Sequence, residues 1–174
     1  MDIVKVGVEW AQRNIASRFP NFSFMHADVY NKHPNPKGKV LPEQFSFPFP
    51  DREFDFVIVK SVFTHLLSET VRQYLREIRR VMRPGARCLA TAFLLNQESL
   101  QLISSGRSSI DLSHNMGGCR VVDPEFPETA VGIPEDGFLQ LCRQTGISIR
   151  PPIHYGEWCG REQFLSYQDI VVLG

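Results

Sequence analysis

Apolar residues recur at helical spacing at Val4, Val8, Ala11, Ile15 and Phe19, and Pro20 closes the stretch, so the chain is expected to open with a helix. Alternation then replaces that period. Phe22-Ser23-Phe24-Met25 predicts a short strand running into His26-Ala27-Asp28. From 31 to 52, Pro34, Pro36, Pro42, Pro48 and Pro50 rule out a helix or a central strand, which leaves a long connection. The run Phe54-Asp55-Phe56-Val57-Ile58-Val59 reads as a buried strand, and its β-branched end suggests a central parallel strand covered on both faces.

Helical spacing returns with Val71, Tyr74, Leu75, Ile78, Val81 and Met82, a core-facing stripe with Ser68 placed to cap its start and Pro84-Gly85 to stop it. A strand is expected over 87–94 and a short helix from Glu98 to Ile103. Residues 106–132 read as irregular. Pro134 opens a further helix that Gly146 ends, and 147–153 with 164–172 form a closing antiparallel pair. Strands alternating with helices imply an α/β fold with a doubly wound, mostly parallel sheet, helices on both faces and a C-terminal antiparallel hairpin.

A chain of 174 residues, 43% hydrophobic, has enough apolar material for one core. Nineteen basic residues balance nineteen acidic ones, so no nucleic-acid partner is expected, because such proteins usually carry a basic excess. Cys88, Cys119, Cys142 and Cys159 show no metal or disulfide spacing, and Cys88 and Cys142 sit on apolar stretches as core thiols. No metal site is expected. No apolar run approaches the ~20 residues of a membrane span, so the cytoplasm is the default location.

The segment from Phe54 to Ala92, FDFVIVKSVFTHLLSETVRQYLREIRRVMRPGARCLATA, resembles class I, Rossmann-like S-adenosylmethionine-dependent methyltransferases. The resemblance lies in a buried strand led by Phe-Asp and in a helix ending Arg80-Val81-Met82-Arg83-Pro84-Gly85, with Ala86 where that family usually has a second glycine. Phe47-Pro48-Phe49-Pro50-Asp51 is similar to the family's approach to that strand. The resemblance implies S-adenosylmethionine as cofactor and a small-molecule methyl acceptor. It places Asp2, with Ile3, at the cofactor's ribose hydroxyls, which suit a carboxylate with its two acceptor oxygens. It places Asp28 at the adenine amino group and Val29 on the adenine face. Lys60, Ser61 and Val62 would line the methionine moiety, and Phe63, Thr64 and His65 the acceptor, with His65 the candidate base.

The family's glycine-rich loop should fall roughly 20 residues before Asp2. The chain over 1–174 is therefore expected to be a single partial domain lacking the first strand and that loop, with an irregular insert at about 106–132. Other readings stay open. A non-catalytic, methyltransferase-like scaffold would use an exposed sheet edge to self-associate. A nicotinamide oxidoreductase of the same fold class would also need a glycine fingerprint, and does not account for residues 47–85. His26 reads more readily as structural than as chemical. Tyr30, Tyr155 and Trp158 either shape an acceptor pocket or fill a core, and Arg107, Arg120 and Arg161 either hold an anionic substrate or are solvated.

Overall fold

The apolar run at the centre of the chain forms the strand on which the rest is assembled. In the computed structural model, which describes residues 1–174, the chain divides into two units, Met1–Phe45 and Ser46–Gly174.

In the first unit, α1 (Lys5–Ala11) starts where the apolar spacing predicts and widens into a π-helical turn over Gln12–Ala16. Asn14 Nδ2 donates to the Trp10 carbonyl at 2.8 Å and Ser17 Oγ to the Arg13 carbonyl at 2.6 Å. Such local bonds compete with the regular helical ladder. The strand expected at 22–25 does not form. Phe22 N–H bonds back to Phe19 O at 3.0 Å, and the rest of the backbone there meets Asp2, through Asp2 N–H to Met25 O at 3.1 Å and Ala27 N–H to Asp2 O at 2.9 Å. The result is one isolated parallel bridge between Asp2 and His26. Alternation assigns faces, but a strand also needs a partner along its length. Beyond it, the proline-rich connection turns back so that Lys39 and Val40 both donate to the Asp28 carbonyl. Gly38 is required there, since a Cβ would collide with the backbone of Val29 and Tyr30.

The second unit contains β1 (Phe54–Val59), α2 (Ser68–Val81), β2 (Met82–Leu95), α3 (Gln97–Ser104) and β3 (His114–Met116). It continues with β4 (Cys119–Val121), β5 (Val131–Pro134), α4 (Glu135–Thr145), β6 (Ile149–His154) and β7 (Asp169–Leu173). The seven strands make one sheet in the order β3-β4-β5-β2-β7-β6, with β1 beside β2. The fold is α/β, as expected. The sheet is mixed: β1 and β5 run parallel to β2, while β2–β7, β3–β4, β4–β5 and β6–β7 are antiparallel. The parallel share is smaller than the sequence suggested because the 106–132 segment is not irregular. It carries β3, β4 and the start of β5, each too short to show a period of its own.

Four boundaries also differ. Leu67, not Ser68, sits at the N-cap of α2, and Ser68 Oγ lies 3.1 Å from Cys119 Sγ. Met82 has left the helix and begins β2, which continues through Pro84 and Gly85. Pro134 ends β5 and caps α4, while Gly146 closes α4 with φ +69°, as expected. Residues 165–168 are bends and Phe164 is irregular, so the closing strand starts only at Asp169.

Burial is asymmetric. Cys88, Ala90, Ala92 and Leu94 of β2 are inaccessible, on the face shared with Val71, Leu75 and Ile78 of α2 and Phe138 and Cys142 of α4. The opposite face is closed only toward the carboxyl end of β2. There Phe93 and Leu95 cluster with Leu112, Ala130, Trp158 and Cys159, and α3 packs over them. Nearer its start, Arg87 is exposed, and Phe56 and Ile58 of β1 are 54% and 64% exposed. β1 is therefore not covered on both faces, and β2 is its only strand neighbour. A β-branched run specifies extended backbone, not the number of neighbours it acquires.

The proline-rich approach to β1 is fixed by α2. Arg80 donates to the Phe47 carbonyl at 2.9 Å, the Phe49 carbonyl at 2.8 Å and Asp51 at 2.8 Å. Glu77, 6% exposed, accepts the Phe47 N–H at 2.6 Å and pairs with Arg80 at 2.7 Å. Burial disfavours the Glu77 charge, but the Arg80 and Phe47 hydrogen bonds outweigh it and leave the carboxyl below its ordinary value of 4.5. A depressed carboxylate stabilises the fold above its unfolded pKa, and that contribution disappears as pH falls through the folded value. Glu77→Gln should lower the unfolding free energy by about 2 kcal/mol at neutral pH. Urea titrations of both proteins across pH 7 to 3 should show the difference shrinking below about 4.5. A difference constant across that range would rule out the clamp.

Candidate active site

Open α/β sheets bind ligands outside the carboxyl ends of their parallel strands. β1 ends there in Lys60–His65. Lys60 is exposed. Ser61 has φ +54°, a left-handed conformation unusual for a residue with a Cβ. Three bonds hold it: Ser61 N–H to Thr91 Oγ1 at 2.8 Å, Ser61 Oγ to Gln168 Oε1 at 3.1 Å, and Thr91 Oγ1 to Gln168 Oε1 at 2.6 Å. Backbone strain of this kind costs about 1–3 kcal/mol and concentrates at functional sites.

Val62 is half-buried, and Phe63, fully buried, meets Phe138 edge to face with ring centres 5.8 Å apart. Thr64 is inaccessible and its Oγ1 has no hydrogen-bond partner. His65 is exposed, with Nδ1 2.8 Å from the Glu128 carbonyl. A carbonyl only accepts, so Nδ1 donates this bond, and Nε2 makes none within the protein.

The remaining expected residues belong to the first unit. Asp2 Oδ1 accepts the Val4 N–H at 2.7 Å and its other oxygen has no partner in the protein. The Ile3 carbonyl faces His26 Nε2 at 3.2 Å, which gives His26 the structural part expected of it. Asp28 is half-buried and its carboxylate has no hydrogen bond or ion pair. Val29 is 2% exposed.

Beside the 60–65 loop, the β6–β7 connection is built on one carboxylate. Asp169, fully buried, accepts from Leu94 N–H at 2.6 Å, Gly156 N–H at 2.6 Å, the Trp158 indole at 3.0 Å and Arg161 at 3.4 Å. Burial raises its pKa above the ordinary carboxylate value, against the opposing pull of those donors. Trp158 is therefore a core residue, and Arg161, 7% exposed, is a structural one that also bonds Glu98 at 2.7 Å. A cavity of about 760 Å³ opens here, lined by Glu98, Arg107, Tyr155, Phe164 and Leu165 among others. Its charges are already matched, Glu98 by Arg161 and Arg107 by Glu162. Burial pushes the Cys88 and Cys142 thiols up to about 12, which leaves them inert at neutral pH.

Thr91, Gln168 and Glu128 escaped the sequence reading. Thr91 is the one hydroxyl in β2, and Gln168 precedes an aspartate that abuts an apolar run, so both were weakly visible. Glu128 contributes a backbone carbonyl, which no side-chain pattern reveals. Replacement of Ser61 tests the strain. Ser61→Val should cost about 2 kcal/mol of unfolding free energy, because a β-branched residue resists positive φ, and Ser61→Gly under about 1 kcal/mol. Equal losses in chemical denaturation would show that the hydroxyl, not the backbone, matters.

Comparison with known proteins fits this geometry. A family described as a methyltransferase domain matches residues 1–90, just over half of the 174-residue chain. Among solved structures, a SAM-dependent methyltransferase from Methanosarcina mazei is similar over 99% of this chain and 78% of its own, with a TM-score of 0.59 at 21% identity. A protein from Pyrococcus horikoshii OT3 is similar over 98% of this chain and 67% of its own, with a TM-score of 0.57 at 16% identity. At these identities the likeness is one of fold.

Proposed function

We propose that this chain, which belongs to the methyltransferase domain family, transfers the methyl group of S-adenosylmethionine to a small-molecule oxygen, nitrogen or carbon nucleophile. The observation that carries the reading is the loop at the carboxyl end of β1, where Ser61 is held in a left-handed conformation by Thr91 and Gln168. When bound, the cofactor supplies a methyl group already activated by its sulfonium, so the protein's work is chiefly orientation and exclusion of water.

The side chains present suit that cofactor. Asp2 retains a carboxylate oxygen with no protein partner, as a ribose diol requires, and the unpaired Asp28 carboxylate can accept from an adenine amino group beside Val29. Lys60, Ser61 and Val62 take the methionine end. Of the three residues expected at the acceptor, the exposed His65 is left to border it, while Phe63 and Thr64 are inaccessible and pack behind the loop. His65 Nε2 is the acceptor of the proton that an oxygen or nitrogen nucleophile releases. In a reducing cytoplasm the four buried cysteines stay as thiols. No helix is long and apolar enough to cross a membrane.

Calorimetric titration with S-adenosylhomocysteine tests this reading. The wild-type protein should bind, and Asp2→Ala and Asp28→Ala should each weaken binding about tenfold, the loss of one hydrogen bond to a charged group. Absence of binding by the wild-type chain would remove the catalytic reading.

The exposed Phe56 and Ile58 on β1, a strand with one neighbour, favour a second reading, a scaffold that associates through this edge. Sedimentation equilibrium should then show a dimer that Ile58→Lys dissociates. A monomer at all concentrations would dismiss it.

A further inference from the structure

A second cavity, of about 510 Å³, lies at the carboxyl ends of β2 and β5, within the segment whose sequence showed no pattern. The hairpin of β3 and β4 builds its outer wall. Met116 pairs with Cys119 across the two-residue turn Gly117-Gly118, whose φ values of +56° and +79° suit glycine. β4 runs antiparallel to β5, and β5 lies parallel to the last residues of β2, so the turn projects beyond the strand ends. Leu95, Leu100, Met116 and Pro134 supply an apolar lining, while Asn115 and Arg120 add polar groups. The size falls within the roughly 300–1,000 Å³ usual for small-ligand sites, and the mostly apolar wall with few polar groups is their usual composition.

Arg120 gives the cavity its chemistry. Four arginines are withdrawn from full exposure: Arg72, Arg80, Arg120 and Arg161. Arg72 pairs with Glu69, Arg80 with Glu77 and Asp51, and Arg161 with Glu98 and Asp169. Arg120 alone among them has no hydrogen bond, ion pair or ring contact from its side chain to the rest of the protein. Its planar fork, unpaired within the protein and set among apolar lining residues, matches a carboxylate.

We infer that this cavity takes a small molecule with an apolar body and a carboxylate, the carboxylate held by Arg120.

The test uses 2-naphthoate and its uncharged counterpart 2-naphthamide, titrated calorimetrically into the full chain and into Arg120→Gln and Arg120→Lys. The wild-type chain should bind 2-naphthoate at least tenfold more tightly than the amide. Arg120→Gln should lose at least tenfold for the carboxylate and little for the amide, while Arg120→Lys should keep part of the preference. A thermal unfolding midpoint unchanged by either substitution confirms that the fold is intact. Failure of the wild-type chain to bind 2-naphthoate, equal affinity for both probes, or an unaltered affinity in Arg120→Gln would each overturn the site.

Discussion

The carboxyl end of the sheet depends on the buried carboxylate of Asp169. Its two oxygens accept from the Leu94 and Gly156 backbones and from the Trp158 indole, and Arg161 approaches as counter-charge. Leu94 lies on the central strand and Gly156 to Arg161 on the connection that follows β6, so one side chain pins that connection to β2. Arg161 extends the network to Asn96 at the cap of α3 and to Glu98 in its first turn. Buried ionic groups are tolerated when every partner is satisfied, and removal of one member strands the rest. Trp158 can fill the core beneath α3 because its indole N–H has this acceptor.

A second network governs the opposite end. The Arg80 guanidinium bonds the Phe47 and Phe49 carbonyls and Asp51, Glu77 bonds the Phe47 N–H, and Arg83 pairs with Asp55 at 2.6 Å. Together they fasten a proline-rich approach that has no ladder of its own. These residues are also those by which the chain resembles its family. That signature therefore records how β1 is held against α2, and is a statement about architecture more than chemistry. The proposed chemistry lies in loops outside both networks: Lys60–His65 at one strand end, and the β3–β4 hairpin at another.

The two cavities of the second unit differ for the same reason. Around the β6–β7 connection, charges were introduced in pairs and satisfy one another. Beneath the β3–β4 hairpin, Arg120 stands without a partner against Leu95, Leu100 and Pro134. Electrostatic satisfaction, more than size, separates a site that completes the fold from one that awaits a ligand.

The sequence by itself determined the elements whose signal is local and long: α2 through its spaced apolar face, β1 and β2 through their apolar runs, and the stop of α4 through Gly146. It also carried the family resemblance, in Phe47–Asp51 and in Arg80–Gly85. Only the tertiary structure decided that 22–25 would remain a single bridge, that three short strands would arise within 106–134, and that β1 would have one neighbour and an exposed face. Periodicity is a property of a segment, whereas pairing, burial and ionic partnership depend on what arrives from far along the chain. Arg161 and Arg120 look alike as letters; Asp169 and Glu98 make the first a strut, and the lack of any partner leaves the second open to a ligand.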